Sequence, residues 1–322
     1  MAEVTCRPYR LGDEIQINDG FNRAFGLHRS LDEWRWKFPE RPEGRWIMLA
    51  FDAQERLLAH YCAVPVRLQV GGLKVRAGEP VDSFSLPEGR YGLAAAGTFQ
   101  RTVEAFFLEF GGPDKLAVLF GFPGERHLRL GAARLGYDQL VPQPVTVWRR
   151  GPARRPRFSA HAVRIGPDAA AANALWARTN ARYRVAVVRD AAWLGRRYFG
   201  RPGVEYVHLV ASRWGRPAAL AVARVVGTAV YWVDLVWDGR NGRALTALDA
   251  AIGELARSRG AATIEMWLGG DRAAEDWFAR LGWERTPHPA GLAMVARSFH
   301  PEIDVATFPG AFYLTMGDAD LV

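Results

Sequence analysis

The chain has 322 residues, a formal charge of +8, 49 % hydrophobic and 24 % charged residues. That composition is globular and excludes wholesale disorder, and the length suits two domains better than one core. Two cysteines, Cys6 and Cys62, exclude a disulfide scaffold or a multi-cysteine metal knuckle.

The positive charge is spread. Residues 1–155 hold 22 Lys+Arg against 18 Asp+Glu, and residues 156–322 hold 20 against 16, so each part carries +4. A nucleic-acid surface shows clustering, so nucleic acid is not an expected partner. No apolar run reaches about 18 residues, so no membrane-spanning helix is expected. The first residues carry no basic head followed by an apolar stretch, and a cytoplasmic location is expected.

In chain order, Trp34, Trp36 and Phe38 fall at helical spacing and are expected in the core. Residues 45–52 and 57–70 read as strands around a turn at Asp52-Ala-Gln-Glu55. Cys62 in the second of these is expected to be an inert buried thiol. A strand at 80–86, containing Phe84, Ser85 and Leu86, leads into Gly89-Arg90-Tyr91-Gly92-Leu93-Ala94. Phe99, Val103, Phe106, Phe107 and Phe110 then recur at helical spacing, which predicts a helix from Leu93 to Phe110, stopped by Gly111-Gly112-Pro113. Leu116–Phe120 reads as a short buried strand, and a second helix is predicted up to about Arg134. Residues 148–157, with one Gly, two Pro and five Arg, read as a linker. The expected domains are therefore 1–148 and 158–322, joined by 149–157.

The second half repeats the first. Strands are predicted at 206–211, 219–226, 229–236 and 263–268, with helices at 245–258 and 273–280. Trp193, Tyr198 and Phe199 are expected in the core. Gly-Arg-x-Gly-x-Ala occurs at Gly89 and again at Gly239-Arg240-Asn241-Gly242-Arg243-Ala244. Arg-Leu-Gly-aromatic occurs at Arg134 and Arg280. Matching motifs in the same order, about 150 residues apart, mean a duplicated domain, because solenoid repeats are far shorter. The chain closes on Phe312–Asp320, read as a final strand and an acidic tail.

A strand that turns through Gly-x-x-Gly into a helix aims several backbone N–H groups one way and adds the positive end of the helix dipole. Such a loop can hold a pyrophosphate without a dedicated side chain. It is neither a Walker loop nor the Rossmann fingerprint.

These loops, their place after a mid-domain strand and the Leu-Gly-aromatic endings resemble the GNAT (Gcn5-related) acyltransferase family. So do Arg7-Pro-Tyr-Arg-Leu-Gly-Asp-Glu14, Trp34-Arg-Trp-Lys-Phe-Pro39, Gly121-Phe-Pro-Gly124 and the closing segment, which look like one GNAT subgroup. The resemblance implies an α/β (mixed) fold of two GNAT-like domains, each a mostly antiparallel mixed sheet flanked by helices. It implies acetyl-CoA or another acyl-CoA as co-substrate, with no metal. Its pyrophosphate would lie on Gly89–Ala94 beside Phe84, Ser85 and Leu86, or on Gly239, Arg240, Asn241 and Gly242. The small residues after Gly92 favour the first loop; Asp238 and bulky Arg243 count against the second. The family's usual Arg or Gln at the first loop position is Gly89 or Gly239 here. Its frequent tyrosine acid is replaced by Ala132 and Phe278.

Amine acylation needs a base, and the strand before the loop lies beside the reacting carbonyl in that family. Asp82 and Asp234 occupy matching places there, and Glu79 lies on the same strand as Asp82. A structural role for the aspartates, bonded to backbone or arginine, is the other reading. The implied function is N-acylation of a small amine such as an amino sugar or amino acid, the acceptor entering between the halves or against the N-terminal helices. The alternatives are a Fem-like transferase using aminoacyl-tRNA and a non-catalytic binding protein. His300-x-x-x-Asp304 lacks its companion motifs and is set aside, and the seven histidines show no metal-ligand spacing.

Overall fold

The computed structural model describes residues 4–40, 44–87, 97–124, 128, 143–152 and 160–320. In the first half, β1 (Thr5–Pro8) pairs with β2 (Ile47–Phe51), and β2 with β3 (Leu57–Val70). β3 and β4 (Leu73–Ser85) form one long hairpin, and β4 pairs in parallel with β5 (Val118–Gly121).

Both faces of this sheet are covered, which is why β2 is a continuous apolar run. Ile47, Leu49 and Phe51 point to one side and join Ile17 and Phe21 of α1 (Glu14–Phe25) and Trp34 of α2 (Leu31–Lys37). Trp46 and Met48 point to the other and join Val103 and Phe106 of α3 (Thr98–Phe110). Period-two alternation sorts neighbouring residues onto opposite layers. α2 starts where the Ser30 hydroxyl accepts from the Glu33 N–H at 3.1 Å.

Next come β6 (Gln143–Pro144) and β7 (Thr146–Arg150). The second half holds β8 (Ala162–Ile165), α4 (Ala169–Thr179), β9 (Val185–Val187) and α5 (Ala191–Tyr198). A meander of β10 (Val207–Arg213), β11 (Arg216–Val226) and β12 (Ala229–Trp237) leads to α6 (Arg243–Ser258) and β13 (Thr263–Gly269). Then come α7 (Arg272–Arg280), β14 (Glu284–Pro287), β15 (Ala293–Ser298) and β16 (Phe312–Thr315). The expected strand–turn–helix–strand order is present in this half. Among the described residues, sixteen strands join in one mixed sheet.

The halves exchange strands. β7, from the first half, pairs with β13 and β14, whereas β15, from the second, pairs with β5 and β6. β9 bridges β3 and β16. The expected cut after residue 148 thus falls inside β7. Trp148 is buried and donates its indole N–H to the Leu268 carbonyl at 3.1 Å. Arg149 and Arg150, read as linker, pair with Glu265 and Asp249. Residues 153–159 of the expected linker lie outside the described residues.

Three further expectations change. β4 begins at Leu73, not residue 80, because exposed Lys74 and Arg76 alternate with half-buried Leu73 and Val75. The closing acidic segment is not a solvated tail: Asp318 is buried, and Asp320 is drawn into the site described below. Trp36 and Phe199 lie outside the core that takes Trp34, Phe38, Trp193 and Tyr198. The predicted helix up to Arg134 lies outside the described residues, apart from Leu128. Among the described residues no helix is long and apolar enough to cross a membrane.

Candidate active site

β4 and β5 pair only at Ala77–Val118 and Gly78–Leu119, then part. β5 is held on its far side by β15, so it cannot follow β4. The gap is a cleft of about 320 Å³. Its walls are Glu79–Ser83 of β4, Leu119–Gly124, and Val295–Arg297 of β15, with Phe25, Tyr61, Phe107 and Asp320. Among the described residues, no strand pairs with this edge of β4 beyond Gly78. Pro80 has no N–H, and the Val81 and Asp82 carbonyls already accept from Cys62, Ser83 and His60; the backbone groups left over are open to an extended ligand.

β4 carries a bulge here. Phe84 faces His60 and Val81 faces Cys62, so β4 has one residue more than β3 across the same span. Asp82 takes up the bend at φ 48°, a conformation that costs a non-glycine residue about 1–3 kcal/mol. Its carboxylate is held by the Arg29 guanidinium and, at 2.6 Å, by the Lys37 ammonium. Burial alone would raise the Asp82 carboxyl; Lys37 and Arg29 outweigh it and hold it below its ordinary value. His60 donates from Nδ1 to the Asp82 carbonyl at 2.8 Å, and burial pushes its pKa down to about 4, so the ring is neutral.

Among the described residues, Glu79 forms no such close ion pair. Its Oε1 accepts the Asp320 N–H at 2.6 Å, while the Asp320 carboxylate pairs with Lys37. Burial, with the Asp320 charge adding to it, pushes Glu79 up to about 8, against the pull of Arg197, the Asp320 N–H and Lys37. Glu79 and Asp320 also line a second, smaller cavity of about 40 Å³. That cavity lies between α2 and α5, with Trp36, Lys37, Trp193, Arg196 and Arg197 in its wall. Glu79 therefore stands where two cavities meet.

The matching place in the second half is closed. β12 and β13 pair in parallel from Ala229–Thr263 to Trp232–Met266, and β16 then lies against β13. Tyr313 of β16 donates to the Leu235 carbonyl of β12 at 2.8 Å. Asp234 follows an equivalent bulge and is buried. Its Oδ1 accepts from Arg189 (2.8 Å), Thr315 (3.0 Å) and the Leu235 N–H (3.0 Å), and its Oδ2 from Trp193 (3.0 Å) and Tyr198 (2.8 Å).

The second glycine loop is covered too. A β-carbon at Gly242 would lie 2.2 Å from the Trp277 ring, and one at Gly239 would lie 1.6 Å from the Arg182 guanidinium. The Arg240 and Arg243 N–H groups are already taken by the Asp238 and Asn241 side chains, at 3.0 Å each. Those amides do not face an open cup. Gly89, Arg90, Tyr91, Gly92, Leu93 and Ala94 lie outside the described residues, as does Ala132.

Glu79 and Asp82 thus share one cleft wall, and Asp234 belongs to a separate buried network. Phe84 stacks on His60 (ring centroids 5.1 Å apart) and Leu86 joins the core under α1, so neither lines the cleft. Phe278 is packed against Trp232 and Trp283. Sequence reasoning missed Arg29, Lys37 and Asp320 as parts of the site. One signal was present: Arg29 and Arg189 each stand directly before a helix N-cap, Ser30 and Asp190, and each pairs with its half's bulge aspartate.

Compared by sequence, the chain matches no family model and no curated protein. Its fold matches many solved structures. A conserved protein of Enterococcus faecalis V583, described as a probable N-acyltransferase, superimposes with TM-score 0.69 and 13 % identity over 93 % of this chain and 73 % of that one. A GCN5-related N-acetyltransferase from Kribbella flavida gives 0.67 and 13 %, over 92 % and 71 %. Saccharomyces cerevisiae N-myristoyltransferase with bound myristoyl-CoA gives 0.58 and 11 %, over 98 % and 90 %. The chain has the fold of the GNAT N-acyltransferases. The fold is present in tandem, as the repeated meander, helix and splayed strand of the two halves show.

Proposed function

We propose that the protein is an acyl-CoA-dependent N-acyltransferase that works in its first-half cleft. The observation that carries this reading is the splay of β4 from β5, with an unpaired strand edge along it and Glu79 at the meeting point of two cavities. The open edge and apolar walls suit the amide-bearing arm of an acyl-CoA. The smaller cavity suits the acceptor.

In this reading the acceptor nitrogen attacks the thioester carbonyl carbon, the carbon–sulfur bond breaks, and the proton lost by nitrogen goes to Glu79. A base of pKa about 8 is matched to taking a proton from an ammonium near neutral pH. Asp82 is assigned to holding the bulge, because both its oxygens are committed to cations. Asp234 has the same role in the second half, with every side-chain oxygen engaged.

Thermal unfolding with acetyl-CoA and longer acyl-CoAs, followed by assay of released thiol with an amine panel, tests the reading. Binding at a hundredfold excess over Kd adds about 2.7 kcal/mol to folded-state stability, which raises Tm by several degrees. Absence of any shift with every CoA ester would overturn it.

A further inference from the structure

The larger cleft is narrowest where Gly78 of β4 pairs with Leu119 of β5. Adjacent residues of a strand face opposite ways, which divides this end of the cleft in two. Glu79 faces α2 and α5, with Lys37 and Asp320. Leu119 packs in the α3 layer, and a β-carbon at Gly78 would meet it there at 2.8 Å. Arg297, the partner of Leu119 on β15, places its guanidinium 4.5 Å from the centre of the Phe107 ring of α3. Gly78, Leu119 and Arg297 thus form one cross-strand row on the α3 face, about 9.5 Å from end to end.

Four charged side chains line the cleft: Glu79, Asp82, Asp320 and Arg297. Asp82 is held by Arg29 and Lys37, Asp320 by Lys37, and Glu79 accepts the Asp320 N–H. Arg297 has no counterpart. Among the described residues it forms no ion pair and no side-chain hydrogen bond, and its guanidinium lies against the rings of Phe107 and Phe299. Ring faces attract that charge without cancelling it.

The acceptor comes from the Glu79 face, so the acyl group of the thioester is left the α3 face. A plain hydrocarbon chain there covers half-buried Arg297 and takes water from it, a cost with nothing in return. A chain that ends in a carboxylate gives it a charge-assisted hydrogen bond instead. We propose that the transferred acyl group is dicarboxylic, a short chain of the succinyl class whose distal carboxylate is selected by Arg297. This choice of acyl group rests on the acyltransferase reading above. The chemistry is unchanged: the carbon–nitrogen bond forms, the carbon–sulfur bond breaks, the proton of the nitrogen goes to Glu79, and the distal carboxylate takes no part.

The test measures Kd by calorimetry on the full chain, with esters paired by carbon number: butyryl-CoA against succinyl-CoA, and pentanoyl-CoA against glutaryl-CoA. In at least one pair the acid is expected to bind about tenfold or more tighter, the worth of one charged hydrogen bond. Arg297→Gln should bring that pair together, chiefly by weakening the acid, and Arg297→Lys should keep part of the difference. Neutral esters that bind as tightly as their acids, or an acid preference that survives Arg297→Gln, overturn the inference and leave the acyltransferase reading intact. So does a loss in Arg297→Gln that is equal for every ester and for free CoA, because the arginine then serves the carrier. If no CoA ester binds, the acyltransferase reading falls and this inference with it.

Discussion

In the first half, β4 and β5 pair at two positions and part around a cleft. In the second, β12 and β13 pair at four, and β16 fills the space beyond, with Tyr313 bonded to the β12 edge. Both halves keep a bulge, an aspartate in or next to it and an arginine from the residue before a helix cap. Arg29 holds Asp82, and Arg189 holds Asp234. The shared pair belongs to the fold, since it persists where, among the described residues, β16 fills the space beside the strand. The features found in one half only, the open strand edge and Glu79, are where chemistry is to be sought. The buried Arg189–Asp234 pair also shows why a buried aspartate on the right strand is poor evidence of a base. Satisfied by five donors, it has nothing left to offer a substrate.

The comparison is most exposed to Glu79. Glu79→Gln should lower kcat by about 10²–10⁴-fold, the usual worth of a positioned base, while Tm stays near the parent's. A variant with parental kcat would remove the functional difference between the halves. Asp234→Ala takes one of two carboxylates from the fully buried Arg189, leaving Asp318, and unpairs the buried Trp193 and Tyr198 donors, so it should cost about 3–5 kcal/mol in urea unfolding. If it unfolds at the parent's midpoint, the shared pair is not a folding device.

Trp277→Ala uncovers Gly242 and should cost about 2 kcal/mol, given that Trp277 is only partly buried. Calorimetry should still count one CoA per chain, because β16 continues to fill the second groove; a count of two would break the comparison. Tyr313→Phe removes the bond to Leu235 and should cost about 1 kcal/mol.

The pH profile gives the finest test. In the proposed reaction Glu79 works as the carboxylate, so kcat/KM should rise with pH through about 8 and level off above it. Asp320→Asn removes a negative charge that resists this ionisation, so Glu79 loses its proton more easily and the limb should move to lower pH. A limb that moves up, or that survives in Glu79→Gln, would assign the titration to another group.

Much of the architecture was legible in the residues. Apolar alternation marked β2, β3, β10, β11 and β12, and the glycine motifs announced the duplication, because strand and turn requirements are local. β4's early start was hidden by Lys74 and Arg76, which face water at one end of a strand whose other end is buried. The strand exchange was not legible: the arginines around 150 look like linker until Glu265 and Asp249, more than 90 residues away, are placed beside them.

By itself, the sequence determined two copies of one strand–turn–helix unit and the presence of carboxylates on the strand before each turn. Only the tertiary structure decided which carboxylates are held by cations. Asp82, Asp234 and Glu79 are alike as side chains. Their chemistry differs because Arg29, Lys37 and Arg189 arrive from other elements to claim the aspartates. Asp320, from the far end of the chain, brings another negative charge beside Glu79. An ionisation is set by the charges and the water around a group, and those neighbours are fixed by folding, not by chain order.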